Sequence, residues 1–125
     1  MDTRFGRVGL LICADTFEEP LVDVLAGAEP DLVLVPYGWA APEGDWPGHA
    51  KSLHSWISHT ARRTGAPVLG VDSVGRLGHG PWTGFVLGGQ SALAGRNGDL
   101  EGTLADRTAE VRVFELAGLT RGIVR

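Results

Sequence analysis

Three short apolar runs, separated by segments with helical periodicity, most strongly constrain how this chain folds. The runs are residues 8–12, 31–36 and 66–75. Each has the continuous apolar character of a strand that is buried on both faces. Between them, residues 16–27 predict a helix capped by Thr16, and residues 49–64 predict a longer helix. The order strand, helix, strand, helix, strand favours parallel pairing through right-handed crossovers, so we expect an α/β fold.

The pattern changes after residue 75. Residues 75–84 (GRLGHGPWTG) predict a glycine-rich loop, and three strands joined by turns are expected after it. These strands are residues 85–95, 98–105 and 109–117. An Asn-Gly pair at residues 97–98 predicts a hairpin, and the alternation in residues 110–116 (EVRVFEL) predicts a strand with one face in solvent. Residues 118–125 are expected to form a loosely held tail.

Composition excludes several classes of protein. The chain has 125 residues, of which 43% are hydrophobic and 21% charged, as in an ordinary globular domain. Its net charge of −4 carries no basic stripe, which argues against nucleic acid as a partner. No apolar run approaches the roughly 20 residues needed to span a bilayer. One cysteine cannot form an internal disulfide, so we expect a protein of a reducing, cytoplasmic compartment.

The single cysteine, Cys13, directly follows the first apolar run. Free cysteine is among the most buried residue types, so a core position is one interpretation. The other is a nucleophile, because the carboxyl end of a parallel strand is where open α/β sheets place their ligands. The three histidines at 49, 54 and 59 lie five residues apart, which is not the spacing of a helical metal pair. Position alone does not decide between the two interpretations of Cys13.

An ordered series of motifs resembles the carbon–nitrogen hydrolase (nitrilase) superfamily. The series is GRVGLLICAD (residues 6–15), GAEPDLVLVP (residues 27–36), the following Trp39, WISHTARRTGAPVLGVDSVG (residues 56–75) and FVLGGQSALAGRNGDL (residues 85–100). In the family these correspond to an apolar strand with Cys-x-Asp, a helix, an apolar strand ending in Pro, a Trp, a segment ending in Asn-x-x-Gly, and a Gly-x-Ser strand with its hairpin. The resemblance covers residues 5–117 in the family's order.

The resemblance implies chemistry for named residues. Cys13 would be the nucleophile that attacks an amide or nitrile carbon of a small-molecule substrate and forms a covalent intermediate. The backbone N–H of Ala14 would donate to the developing oxyanion, and Trp39 would help to form the substrate pocket. Asp15 would fix the turn and take no part in acid–base chemistry. Glu18 and Glu19 are interpreted as solvated charges. No cofactor and no metal are implied.

The sequence also departs from the family pattern. The family's catalytic Glu and Lys precede the cysteine by tens of residues, whereas only 12 residues precede Cys13 and none is lysine. The single lysine, Lys51, lies after Cys13, and Asp72 stands where the family usually has Asn.

We therefore expect residues 1–125 to form the C-terminal half of a nitrilase-type αββα sandwich, without the half that carries Glu and Lys. Alone it would be inactive, and it would associate with the missing half or with further copies of itself. Two alternatives remain open. One is a non-catalytic remnant or subunit of a larger assembly, and the other is a flavodoxin-like binding domain.

Overall fold

The computed structural model describes residues 1–116. The strands are β1 (Asp2–Thr3), β2 (Gly6–Leu10), β3 (Leu32–Tyr37), β4 (Ala40–Ala41), β5 (Val68–Asp72), β6 (Val74–Arg76), β7 (Val86–Gly88), β8 (Ala92–Ala94) and β9 (Leu100–Thr103). The helices are α1 (Glu19–Gly27) and α2 (Ala50–Thr64), and 3-10 turns lie at Cys13–Phe17 and Glu43–Asp45. The α/β class predicted from the sequence is confirmed.

The strands form two sheets. The main sheet has six strands in the order β1-β2-β3-β5-β8-β9, and the small sheet has three in the order β4-β7-β6. Strands β2, β3 and β5 are parallel, as their sequence order predicted, and β8 and β9 join the sheet antiparallel. Helices α1 and α2 pack on each other and on the same face of the main sheet. A flavodoxin-like sheet, with helices on both faces, is therefore not the fold.

The main core lies between the two helices and the sheet, and we call this side of the sheet the helix face. Its fully buried members include Val22 of α1, Leu53 and Ile57 of α2, and Val33 and Val35 of β3. The helices lie close to the strands where the strands carry glycine. A Cβ atom added at Gly70 would lie 2.4 Å from Cδ1 of Ile57, and one at Gly9 would lie 2.6 Å from Cδ1 of Leu25. Larger residues at these two positions would push the helices outward.

The opposite side of the main sheet, which we call the open face, carries the alternate residues of the same strands. Leu10 is 63% exposed and Val71 is 50% exposed. Strand pairing places Leu32, Leu34 and Leu69 on the same side. Toward β8 and β9 the C-terminal segment partly covers this face, because a Cβ at Gly102 would contact the ring of Phe114. The rest of the open face is an apolar surface without a covering element in residues 1–116.

Two segments predicted as single strands each divide between the two sheets. Residues 66–75 form β5 in the main sheet and then enter β6 in the small one. Residues 85–95 form β7 and β8 in the same way, and the corner between them has positive φ at Gly89 (68°) and Gln90 (52°). Positive φ redirects the chain, so the strand does not continue through this corner.

Two further predictions are wrong, and two are confirmed. Residues 109–116 form no strand and pair with no strand among residues 1–116, and Val111 is 96% exposed. Thr16 does not cap α1, which begins at Glu19 after the 3-10 turn. The helix predicted over residues 49–64 is α2, and the hairpin at residues 97–98 joins β8 to β9. Residue 117 and the tail predicted at residues 118–125 lie outside the described residues.

Candidate active site

The carboxyl ends of the three parallel strands bring the candidate residues to one edge of the main sheet. Cys13 follows β2, Trp39 follows β3, and Asp72 is the last residue of β5. Tyr37 is directly opposite Asp72 in the parallel pairing of β3 and β5. Cys13 and Trp39 are both partly buried and both pack against the main core. This edge is where parallel α/β sheets place their ligands, as the sequence predicted for Cys13.

Cys13 lies at a sharp turn between strand and helix. The N–H of Leu11 still donates to the carbonyl of Leu34 on β3, and the 3-10 turn begins two residues later at Cys13. The φ angle of Cys13 is 46°, a conformation that residues other than glycine seldom adopt. Such strain persists only where neighbouring contacts impose it, and it is concentrated at functional sites. Cys13 is only partly buried and so is not an enclosed core residue.

Side chains that follow Cys13 in the sequence hold the turn. Asp15 Oδ2 accepts a hydrogen bond of 2.8 Å from the N–H of Ile12, which is the turn-fixing contact expected of Asp15. Thr16 Oγ1 donates to the carbonyl of Cys13 at 2.8 Å. The hydroxyl of Tyr37 donates in turn to Thr16 Oγ1 at 3.3 Å. Sequence analysis missed these roles of Thr16 and Tyr37, because a buried hydroxyl pair leaves no periodic signal.

Trp39 is fixed at both its backbone and its ring. Its backbone N–H donates to Asp72 Oδ1 at 2.8 Å, and its indole Nε1 donates to the carbonyl of His49 at 3.3 Å. The ring stacks on His49 with 5.3 Å between centroids, and it packs edge-on against Phe17 and Tyr37. A tryptophan held in this way forms a rigid wall beside the turn that carries Cys13.

Asp72 is the buried ionisable group of this edge. Burial raises the pKa of Asp72 to about 6, although the nearby backbone N–H groups of Trp39, Ser73 and Gly89 lower it. Oδ2 of Asp72 is buried and has no hydrogen-bond partner among the described residues. The sequence placed Asp72 within the predicted strand of residues 66–75, and only the register with Tyr37 and the contact with Trp39 show that it supports the candidate site.

A cavity of about 660 Å³ lies near this edge but does not include Cys13. Its walls come from the open face and from residues 104–114, and Asp72, Gln90 and Ser91 contribute polar atoms to it. The cavity exists because the C-terminal segment crosses the sheet without filling the space above Leu69 and Val71. We assign the candidate chemistry to the turn at Cys13 and not to this cavity, because the cavity contains no nucleophilic thiol.

The other charged candidates lie away from this arrangement. Lys51 is exposed on α2, and Glu18 is exposed at the start of α1. Glu19 contacts His59 through Oε1 at 2.8 Å, a surface pair. Within residues 1–116, no group of three His, Cys, Asp or Glu side chains is arranged to hold a metal ion. No helix in the same range is long and apolar enough to cross a membrane.

Comparison with solved structures identifies the fold. A carbon–nitrogen hydrolase from Helicobacter pylori matches 87% of this chain over 40% of its own, with a TM-score of 0.71 and 20% identity. A CN-hydrolase superfamily protein from Xanthomonas campestris, with an arsenic adduct in its active site, has a TM-score of 0.62 and 17% identity. That match covers 82% of this chain and 37% of the Xanthomonas protein. An amidase of the nitrilase superfamily from Nesterenkonia, in a cysteine-to-alanine mutant, has a TM-score of 0.59 and 28% identity over 80% of this chain and 34% of its own.

These matches confirm the resemblance that the sequence motifs indicated. The chain has the fold of the carbon–nitrogen hydrolase (nitrilase) superfamily over most of its length, and it spans 34% to 40% of the three structures. In one structure of the Nesterenkonia amidase an acetamide moiety is covalently attached to the active-site cysteine. No protein-family model and no curated protein matches the sequence.

Proposed function

We propose that this chain is the cysteine-bearing part of a carbon–nitrogen hydrolase that cleaves an amide or nitrile C–N bond of a small molecule. The observation that carries the proposal is the placement of Cys13. In a chain with this fold, the only cysteine begins a strained turn at the carboxyl ends of the parallel strands. Trp39, held beside that turn, forms one wall of the substrate pocket.

The chemistry for an amide follows from these positions. The Cys13 thiolate attacks the carbonyl carbon, and the electron pair of the C=O bond moves onto oxygen to give a tetrahedral oxyanion. The N–H of Ala14 donates to that oxyanion. The C–N bond then breaks, the nitrogen leaves with a proton from a general acid, and a thioester on Cys13 remains. Water attacks the thioester, gives up a proton to the same group acting as base, and releases the carboxylic acid and the thiolate.

The general acid–base and the lysine of this reaction come, in our proposal, from a part of the fold that residues 1–125 do not supply. The chain's only lysine is exposed on α2, and the chain spans 34% to 40% of the hydrolase structures above. The uncovered part of the open face is the surface on which the remaining half of the sandwich would pack. In the absence of that half, we expect further copies of this chain to associate there.

The purified chain should therefore hydrolyse amides and nitriles negligibly, because loss of general acid–base catalysis alone removes about 10²- to 10⁴-fold in rate. Cys13 of the folded chain should nevertheless be alkylated by iodoacetamide, with mass spectrometry locating the adduct. Cys13→Ser is the control for the site of the adduct. Protection of Cys13 until the protein unfolds would contradict the nucleophile role. Turnover that Cys13→Ser abolishes would show that the chain already holds its base.

A second candidate function is a non-catalytic subunit or remnant, and the exposed position of Lys51 favours it. The coding sequence upstream of Met1 discriminates the two candidates. An in-frame apolar strand with Glu, followed by a Lys motif, would support the enzyme, and its absence would support the subunit.

A further inference from the structure

The peptide group between Cys13 and Ala14 contains both the carbonyl of Cys13 and the N–H that the proposed function uses as oxyanion donor. This peptide is planar and trans, so the two groups point in opposite directions, and a contact that holds the carbonyl also aims the N–H. The carbonyl accepts the hydrogen bond from Thr16 Oγ1. The N–H of Ala14 donates to no acceptor within residues 1–116, so it is free to bind an oxyanion.

The hydroxyl groups of Thr16 and Tyr37 are buried, and hydrogen bonds connect them to the carbonyl of Cys13. Thr16 is 1% exposed and Tyr37 is 5% exposed. Burial raises the pKa of Tyr37 to about 12, against the lowering effect of its hydrogen bond with Thr16 and with a smaller raising effect of nearby Cys13, so the phenol stays protonated. The direction is therefore fixed, from Tyr37 Oη to Thr16 Oγ1 and from Thr16 Oγ1 to the carbonyl of Cys13. Hydrogen bonds in series polarise one another, and a polarised carbonyl makes the N–H of its own peptide a better donor.

We propose that Thr16 and Tyr37 are positioning residues that aim and polarise the oxyanion donor at Ala14. Neither side chain contacts the substrate; both act through the Cys13–Ala14 peptide. The same contacts explain how Cys13 keeps its φ of 46°, since strained conformations persist where the surrounding structure imposes them. The inference rests on the proposed role of Cys13 as nucleophile.

Two thiol reagents distinguish an effect on the orientation of the Ala14 N–H from an effect on the accessibility of the Cys13 thiol. When a thiolate adds to the β-carbon of acrylamide, the electron pair moves onto the carbonyl oxygen, and a proton from water then completes the adduct. When a thiolate displaces iodide from iodoacetamide, the carbonyl oxygen gains no charge. Acrylamide adds to the active-site cysteine of the Nesterenkonia amidase. The ratio of the two rates at Cys13 therefore reports the oxyanion donor and cancels changes in exposure.

The variants are Thr16→Val, which removes the hydroxyl at nearly constant volume, Thr16→Ser, which restores it, and Tyr37→Phe. We expect Thr16→Val to lower the acrylamide-to-iodoacetamide ratio about fivefold to tenfold, the range that corresponds to one hydrogen bond. Thr16→Ser should recover most of the ratio, and Tyr37→Phe should lower it by a smaller factor. Circular dichroism checks that each variant is folded. If Thr16→Val is not folded, the rate ratios measured for Tyr37→Phe and Thr16→Ser test the positioning role.

Equal slowing by both reagents in Thr16→Val, or an unchanged ratio, would overturn the positioning role while leaving Cys13 as the nucleophile. Failure of folded wild-type protein to react at Cys13 with either reagent would instead overturn the proposed function. The two failures are therefore distinguishable in one set of measurements.

Discussion

The two faces of the main sheet share the same strands but differ in what covers them. On the helix face, Val33, Val35 and Val68 are completely buried under α1 and α2. On the open face, the alternate residues Leu10 and Val71 of β2 and β5 are mostly exposed, although they are equally apolar. A strand that meets water on one side normally alternates between apolar and polar residues. These strands do not alternate, which is typical of a sheet buried on both faces, whereas residues 1–116 cover the helix face and only the part of the open face near β8 and β9.

The largest difference between the faces should appear in stability. Leu53 on α2 is completely buried against the helix face, so Leu53→Ala should lower the free energy of unfolding by about 2–5 kcal/mol. The matched change on the open face, Leu10→Ala, should cost less than about 0.5 kcal/mol because Leu10 is already 63% exposed. Urea unfolding of the two variants measures this. At protein concentrations where the chain is monomeric, similar losses would mean that the chain itself covers Leu10.

Asp72 lies at the edge where the two faces meet, because it pairs with Tyr37 on the helix face and also borders the open-face cavity. Its ionisation should make the stability of the protein depend on pH. Its pKa of about 6 in the folded protein is above the usual value of 3.8. The folded state therefore binds more protons than the unfolded state between about pH 4 and pH 6, and stability falls as pH rises through that window. At about 1.4 kcal/mol per pKa unit, the loss is at most about 3 kcal/mol.

Asp72→Asn should remove this loss. Its amide oxygen can still accept from the N–H of Trp39, so the variant should be more stable than wild type above pH 6, by about 1–3 kcal/mol. Urea titrations at pH 4, 5, 6 and 7 measure the difference, and Asp45→Asn, at an exposed carboxylate, is the control. A difference that does not change with pH would show that Asp72 is solvated at this edge.

The smallest change in stability should come from charging the open face. Leu10→Lys should alter the free energy of unfolding by less than about 0.5 kcal/mol, as is usual for exposed positions. It should nevertheless reduce self-association, because large exposed apolar patches mark sites of protein contact. Sedimentation at several concentrations measures this, with Val24→Lys on the exposed side of α1 as the control. A wild-type chain that is monomeric at all of these concentrations would show that the open face does not mediate self-association.

The sequence was sufficient where the signal was local and periodic. Apolar runs followed by helical periodicity predicted the parallel β2–β3–β5 core, and Gly65, with φ of 64°, ended α2 where expected. The same reasoning failed at residues 85–95, because the Gly-Gly-Gln-Ser segment at residues 88–91 forms a corner between two sheets and does not continue one strand. It also failed at residues 109–116, where alternation predicts a strand but the segment pairs with no strand among residues 1–116, although β9 has a free edge.

The candidate site shows the same limit. The predicted ends of the first two strands placed Cys13 and Trp39 at one edge of the sheet, where the carboxyl ends of parallel strands meet, whereas Asp72 was expected inside the strand of residues 66–75. The contacts that hold these residues join positions far apart in sequence, such as Thr16 with Tyr37 and Trp39 with Asp72. Each of those residues has an ordinary surface or core role when considered alone, so only the register of the folded sheet reveals the pairs.

The chain passes between the two sheets several times, and two of these passages, from β5 to β6 and from β7 to β8, lie side by side. At the first, Ser73 links β5 to β6, and its carbonyl accepts from the N–H of Gly89 at 2.8 Å. At the second, Ser91 precedes β8, and its hydroxyl accepts from the N–H of Asp72 at 2.9 Å. Local unfolding of one passage breaks hydrogen bonds to the other. We therefore expect that the small sheet does not unfold while the main sheet stays intact. In hydrogen exchange, the amides of Asp72 and Gly89 should open together in one cooperative unit.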